Sequence, residues 1–245
     1  MREIFKNLKI NNFMNQKITT DQNLVKIIEI LEENKINYWI GQGTLLGIIR
    51  EGKLIDWDHD IDICLWPEEI GKDQIVNLLK KNDFTFRDDL TFGEKYSQLS
   101  FDKPGGRRID INFYQKQKLK NNTIVACNKY GFPRNKLMSL IDAISLAEVY
   151  RGKYKGLIKG LKFLKPAMKF LKRNLVKYGL FYKRAGYMQP IALLKKFKKI
   201  DFNGLNLTIP LLAEEYLEHV YGKNWKQPVK NFTWWKMKNV NTYYD

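Results

Sequence analysis

Gly43-Thr44-Leu45-Leu46-Gly47-Ile48-Ile49-Arg50-Glu51-Gly52, and a few residues later Trp57-Asp58-His59-Asp60-Ile61-Asp62-Ile63, decide how this chain is read. A small-residue turn is followed by three aspartates spaced two apart. In an extended strand side chains alternate, so Asp58, Asp60 and Asp62 project on one face and Ile61 and Ile63 on the other. Carboxylates crowded on one face repel one another and raise each other's pKa. Core packing has no use for that arrangement, whereas a hard divalent cation such as Mg²⁺, which takes oxygen ligands, does. The alternative is a solvated acidic edge strand. The neighbours Trp57, Ile61, Ile63, Leu65 and Trp66 argue instead for a strand buried on one side.

Outward from that stretch, elements alternate. Asp21 is an N-cap for a helix whose apolar positions are Leu24, Ile27, Ile28 and Leu31. Tyr38-Trp39-Ile40 reads as a short strand entering the Gly41-Gln42-Gly43-Thr44 turn. Leu45 to Arg50 then reads as a short helix whose free N–H groups face phosphate. Pro67 with Glu68-Glu69 is expected to open a further helix containing Ile75, Val76, Leu78 and Leu79. Strands are expected near 84–88, 96–102, 107–114 and 123–127, with Pro104-Gly105-Gly106 a turn. The pattern implies an α/β (α+β) fold, a mixed sheet with helices packed on it. In Arg108-Ile109-Asp110-Ile111-Asn112-Phe113 the isoleucines and Phe113 share one face while Arg108, Asp110 and Asn112 share the other. An aspartate there is costly unless it is metal-bound or paired, the simpler case being a salt bridge to a nearby arginine.

The chain has 245 residues, 44% of them hydrophobic, with six tryptophans, enough apolar mass for one domain carrying a helical appendage. Cys64 and Cys127 lie in apolar strand contexts without the close partners a zinc site needs, and read as buried reduced thiols. The N-terminal stretch lacks the apolar region of a secretory signal, and no window is apolar enough for a spanning helix. A cytoplasmic location is expected, with peripheral contact at the inner membrane face. The formal charge of +17 favours polyanionic partners: nucleotides, phosphorylated glycans, anionic membranes or nucleic acid. No recognisable nucleic-acid-binding module is visible, so nucleic acid is not expected as a partner.

The block GTLLGIIREGKLIDWDHDIDI over residues 43–63 resembles the signature of the LicD/fukutin family of phosphotransferases, within the nucleotidyltransferase superfamily. Phe202-Asn203-Gly204, Ile209-Pro210, Glu214-Glu215-Tyr216-Leu217, Tyr221-Gly222, Trp225 and Pro228 resemble the family's closing segment. The resemblance implies a nucleotidyltransferase-like catalytic core over 1–145. Residues 146–245 would then form a basic helical portion plus the closing motif, packed on that core. It also implies a third catalytic aspartate on a later strand, a position that Asp110 matches best and Asp102 second. Asp60, Asp62 and Asp110 are then the expected catalytic and Mg²⁺ or Mn²⁺ ligands. Gly43, Thr44 and Arg50 are expected at the nucleotide phosphates, and Asp58 completes the metal shell or orients its neighbours. His59, pointing away from the aspartates, reads as structural. The implied reaction moves a phospho-alcohol (phosphocholine, or ribitol or glycerol phosphate) from a CDP-linked donor to a sugar hydroxyl. The acceptor would be a cell-surface glycan or its lipid-linked precursor, of the capsule, lipopolysaccharide or teichoic-acid type. Two other readings stand beside it: transfer of NMP onto a small molecule or sugar, and a non-catalytic binding protein of the membrane surface. Trp39, Trp57 and Tyr96 are candidates for caging a quaternary ammonium, or for the core.

Residues 151–186 differ in character, rich in lysine and arginine and without an acid. Leu157, Leu161, Leu164, Met168, Leu171, Leu175 and Leu180 recur at helical spacing, with Pro166 an expected break. Such helices suit either contact with an anionic membrane or a lid over the catalytic sheet.

Overall fold

The computed structural model describes residues 20–87, 98–119, 121–148, 150, 152–230 and 242–244. The N-terminal stretch and Tyr96 lie outside the described residues, as do the ends of the strands expected at 84–88 and 96–102. Helix α1 (Gln22–Glu33) starts as the sequence demands: the Asp21 carboxylate accepts hydrogen bonds from the Asn23 and Leu24 amides at 2.9 and 3.2 Å. Its Leu24, Ile27, Ile28 and Leu31 are buried. Strand β1 (Trp39–Ile40) leads into α2 (Gln42–Glu51), which begins three residues earlier than the apolar spacing suggested, so Gly43 and Thr44 sit in its first turn. After β2 (Asp60–Leu65), Pro67–Glu69 forms a turn rather than a helix start. Helix α3 (Lys72–Lys81) begins after Gly71, whose amide is closed off by the Gln74 side chain at 3.0 Å.

Strands β3 (Thr85–Arg87), β4 (Gln98–Asp102) and β5 (Arg108–Phe113) complete a mixed sheet of order β1-β2-β5-β4-β3. Only the β2–β5 pairing is parallel. Its register sets Asp60 opposite Arg108, Asp62 opposite Asp110 and Cys64 opposite Asn112. Ile61, Ile63, Ile109, Ile111, Leu99 and Phe101 point to the other side and join α1 and α3 in the main core. The loop ahead of β5 is clamped by α1: buried Asn23 donates to the carbonyls of Lys103 and Arg107, both at 2.8 Å, and Asp21 accepts from the Arg107 amide at 3.0 Å. A Cβ at Gly106 would lie 2.5 Å from the Asp21 carboxylate, so only glycine lets the loop lie this close.

Tyr114 alone separates β5 from a second, antiparallel sheet of order β11-β8-β7-β6. Its strands are β6 (Gln115–Lys118), β7 (Ile124–Pro133), β8 (Tyr182–Pro190) and β11 (Thr242–Tyr244). Between β7 and β8 the chain leaves the sheets as α4 (Lys136–Ser145), α5 (Lys155–Gly160), a 3-10 turn (Leu161–Leu164) and α6 (Lys165–Lys177). Pro166 lies in the first turn of α6, where its missing N–H costs nothing. These helices have a small core of their own, Ala143, Ile144, Ala147 and Ile158, with Leu161, Leu164 and Met168 against it. The hairpin β9 (Phe197–Phe202) and β10 (Leu205–Pro210) turns at Asn203-Gly204, both with positive φ as a tight two-residue turn requires. Helix α7 (Ala213–Tyr221) then returns Tyr216, Leu217 and Val220 to the main core, with Trp225. Trp39 belongs to that core, 1% exposed and stacked among Trp66, Tyr114 and Phe197. Both cysteines are buried, and neither forms a disulfide. Among the described residues no helix is long and apolar enough to cross a membrane.

Candidate active site

The polar faces of β2, β5 and β4 meet the first turn of α2, and that junction gathers the carboxylates. Asp62 is held from four directions. Its amide donates to the Thr44 hydroxyl at 2.8 Å, and its carbonyl accepts from the Gly41 amide at 3.2 Å. Its carboxylate accepts from the Gly43 amide at 3.1 Å and from Asn112 at 3.0 Å. Gly43 and Thr44 thus serve to fix Asp62. A Cβ at Gly43 would lie 2.5 Å from the Asp58 carboxylate and 3.6 Å from that of Asp62, so glycine here leaves the Asp58 carboxylate where it stands. Asp58 precedes β2, yet its carboxylate still reaches the group. It accepts from the His59 amide at 3.0 Å, while the His59 side chain is exposed.

Across the parallel register, Asp110 accepts from Arg108 Nε at 3.0 Å and from Gln98 at 2.6 Å, with the Ser100 hydroxyl also facing it. The same guanidinium reaches the Asp60 carboxylate, so Arg108 bridges Asp60 and Asp110. Asp62 and Asp110 are almost fully buried, whereas Asp60 and Asp58 keep partial access to solvent. The charges therefore do not balance. Burial, then the charges of Asp60, Asp110 and Asp58, push Asp62 well above the usual carboxylate range. Burial and the neighbouring Asp60 push Asp58 up to about 7. Burial pushes Asp110 up to about 6 against the downward pull of Arg108.

All the donors are oxygens, and acids that hold protons for want of positive charge are the set a hard dication stabilises. Among the described residues no three acidic, His or Cys side chains are already drawn together around one point. Arg108 stands between Asp60 and Asp110 and supplies the local positive charge.

Arg50 lies elsewhere. Its guanidinium is 7% exposed, paired with Glu51, and donates to the Trp225 carbonyl at 3.4 Å. It ties the end of α2 to the closing segment, and the arginine at the carboxylates is Arg108. Gln98 and Ser100 are members of the site that the reading of the sequence did not single out, whereas Arg108 and Asn112 share the face of Asp110 as the alternation implied, and the salt bridge to a nearby arginine is formed. The polar-apolar alternation of Gln98-Leu99-Ser100-Phe101-Asp102 was the available signal. Trp57 is half-buried beneath Lys230, 5.7 Å from its ring.

Residues 35–147, which contain every carboxylate of this cluster, match the family model described as LicD/FKTN/FKRP, nucleotidyltransferase domain. This stretch, a little under half of the chain, is similar to a LicD-type nucleotidyltransferase domain. Human ribitol 5-phosphate transferase FKRP is 38% identical over 45 residues, covering 18% of this chain and 9% of that protein. An uncharacterized protein of Rickettsia typhi is 36% identical over 93 residues, 38% of this chain and 27% of its own length. One of Rickettsia prowazekii is 41% identical over 58 residues, 23% and 22%. The matches thus span between 9% and 27% of the length of these relatives. In the LicD-type domain the glycine-threonine signature and the aspartates are one unit: the signature forms the helix start that holds Asp62.

Proposed function

We infer that the LicD-type domain catalyses metal-dependent phosphotransfer from a nucleotide-activated donor. The donor would be a CDP-linked alcohol carrying choline, ribitol or glycerol phosphate. The acceptor would be a sugar hydroxyl of a cell-surface glycan, of capsule, lipopolysaccharide or teichoic-acid type, or of its lipid-linked precursor. The observation that carries this reading is the register of β2 against β5, which sets Asp62 opposite Asp110 with Asp58 and Asp60 at the same rim. The choice of a polyol phosphate leans on the likeness to ribitol 5-phosphate transferase.

Mg²⁺ or Mn²⁺ held by Asp60, Asp62 and Asp110 would supply neutralising charge to the donor diphosphate. The chain's own residues do the rest. Asp62, pinned by Gly43, Thr44 and Asn112, keeps one carboxylate at a fixed place, and phosphoryl transfer depends mostly on positioning and electrostatics. Asp110, with its proton affinity raised to about 6, is suited to take the proton of the acceptor hydroxyl. The hydroxyl oxygen forms a bond to the phosphorus that bears the alcohol. The bond from that phosphorus to the bridging oxygen breaks, and CMP leaves with the electron pair. Arg108 offers a planar guanidinium to the phosphoryl oxygens. A panel of CDP-alcohols, assayed with Mg²⁺ and glycan acceptors, should show donor-dependent CMP release. Transfer of NMP to the acceptor, with pyrophosphate released from a nucleoside triphosphate, would replace this reading with nucleotidyl transfer.

A further inference from the structure

The helices at 155–177 carry a surface that the carboxylate site does not use. Two lysines of α6 turn inward: Lys165 pairs with Glu148, and Lys172 with Asp142 at 2.7 Å. Together with Leu164 and Met168 on the small helical core, these contacts fix which side of α6 faces the molecule. The outward side should be the charged one in a helix that faces only water. Instead Phe163, in the 3-10 turn that leads into α6, is 71% exposed, and Phe170 within α6 is 61% exposed. Leu157, Leu171 and Leu180 are exposed with them. Lys162, Lys169, Arg173 and Lys177 are exposed alongside, with the Arg173 guanidinium 5.5 Å from the Phe170 ring centre. The sequence has no acid between Arg151 and Gly186, and the acid that borders the surface, Glu148, is paired with Lys165 and lies near Lys162 and Lys169.

We propose that the exposed surface of α6 and of the 3-10 turn before it, centred on Phe163 and Phe170 and flanked by Lys162, Lys169, Arg173 and Lys177, docks the protein on an anionic lipid bilayer. The pairing of chemistries selects the partner. Negative headgroups attract the cations, and the acyl boundary beneath takes up the phenylalanines and leucines. Nucleic acid would employ the cations and could stack on the rings, but it has no use for exposed aliphatic leucines. Lys165 and Lys172, being committed to Glu148 and Asp142, hold the face outward rather than form part of it.

Sedimentation of the full chain with lipid vesicles tests this without donor or acceptor, so it stands apart from the phosphotransfer reading. Vesicles of equimolar phosphatidylcholine and phosphatidylglycerol should bind the protein, less so as salt rises, and vesicles of phosphatidylcholine alone should not. Replacing Lys162, Lys169, Arg173 and Lys177 with Gln should weaken binding by about a hundredfold or more, each cation near such a surface being a factor of about five. Phe163→Ser with Phe170→Ser should weaken it by about tenfold at unchanged charge. Replacing Lys80, Lys81, Lys196 and Lys198 with Gln removes the same charge elsewhere and should change little, with circular dichroism confirming that each variant is folded. An equal loss in that control would reduce the effect to net charge and overturn the proposal. An unaffected phenylalanine pair, or single-stranded RNA bound as tightly as the anionic vesicles, would overturn it too.

Discussion

The junction of β2, β5 and α2 buries what ought to be exposed, and the outer side of α6 exposes what ought to be buried. At the first, Asp62 and Asp110 are buried with Asp58 and Asp60 half-buried beside them, and the Arg108 guanidinium bridges Asp60 and Asp110. At the second, phenylalanines stand in water beside lysines. Each departure runs against the solvation preference of the side chain, and the two suit partners of opposite charge. Excess buried negative charge suits the cation proposed for the site. Excess exposed apolar surface bordered by positive charge asks for an extended anionic surface.

The contrast can be broken most severely at Asp62. Asp62→Asn keeps the shape and removes a charge, so phosphotransfer should fall by about a thousandfold, as when a main electrostatic stabiliser is lost. The apo fold should be as stable as wild type or more so, since like-charge repulsion falls. Turnover at the wild-type rate in that variant would remove the aspartates from the chemistry. The two regions should also respond differently to cavities. Ile111→Ala opens the main core and should cost about 2–5 kcal/mol in global unfolding. Leu164→Ala, half-buried on the separate helical core, should cost about 1 kcal/mol. Equal costs, measured by denaturant titration, would mean that the helices share the main core's cooperativity.

A smaller effect is expected at Gly43. Its added Cβ meets the mobile end of the Asp58 side chain rather than backbone, so Gly43→Ala should leave stability nearly intact. Displacing that carboxylate should slow turnover by about tenfold. The smallest prediction concerns pH. Folded Asp58 keeps its proton up to about 7, whereas the unfolded chain releases it near about 4. Its contribution to stability is therefore complete below about pH 4 and gone above about 7. Between pH 5 and 8 in chelator, wild type should lose about 1–2 kcal/mol relative to Asp58→Asn, a figure already reduced for partial exposure. Parallel stability curves would separate Asp58 from the other carboxylates.

The carboxylate region was largely legible in the sequence and the helical region only half so. Alternation in Asp60-Ile61-Asp62-Ile63 and Ile109-Asp110-Ile111 is a property of each strand by itself, and the strands form as that alternation implies. Gln98 escaped because strand order decides which residues face one another: β4 reaches β5 by hairpin while β2 joins it in parallel from far along the chain. Arg50 drew attention by its closeness in sequence to the glycines. At the far end of α2 its guanidinium turns instead to Glu51 and the Trp225 carbonyl. At 151–186 the leucine spacing found the helices, but Leu161, Leu164 and Met168 pack inward, while the residues that stay outside include two phenylalanines. Which side of a helix is covered depends on α4, and Asp142 and Glu148 with their lysines settle it.

The grip of Asn23 and Asp21 on residues 103–107 has a consequence for how the chain can vary. Two carbonyls and an amide of that loop are satisfied from α1, so the number of residues between β4 and β5 is fixed from outside the hairpin. One inserted residue there would slide β5 by a single position and send Asp110 toward the isoleucine side. The loop at Asn121-Asn122 is closed by backbone bonds between Leu119 and Thr123 and by the Asn121 side chain, which accepts from the Thr123 amide, all of them local to the loop. Length changes, loop grafts and inserted tags should therefore be accepted at 121–122 and rejected at 104–106, two exposed turns that look equally permissive from their sequence.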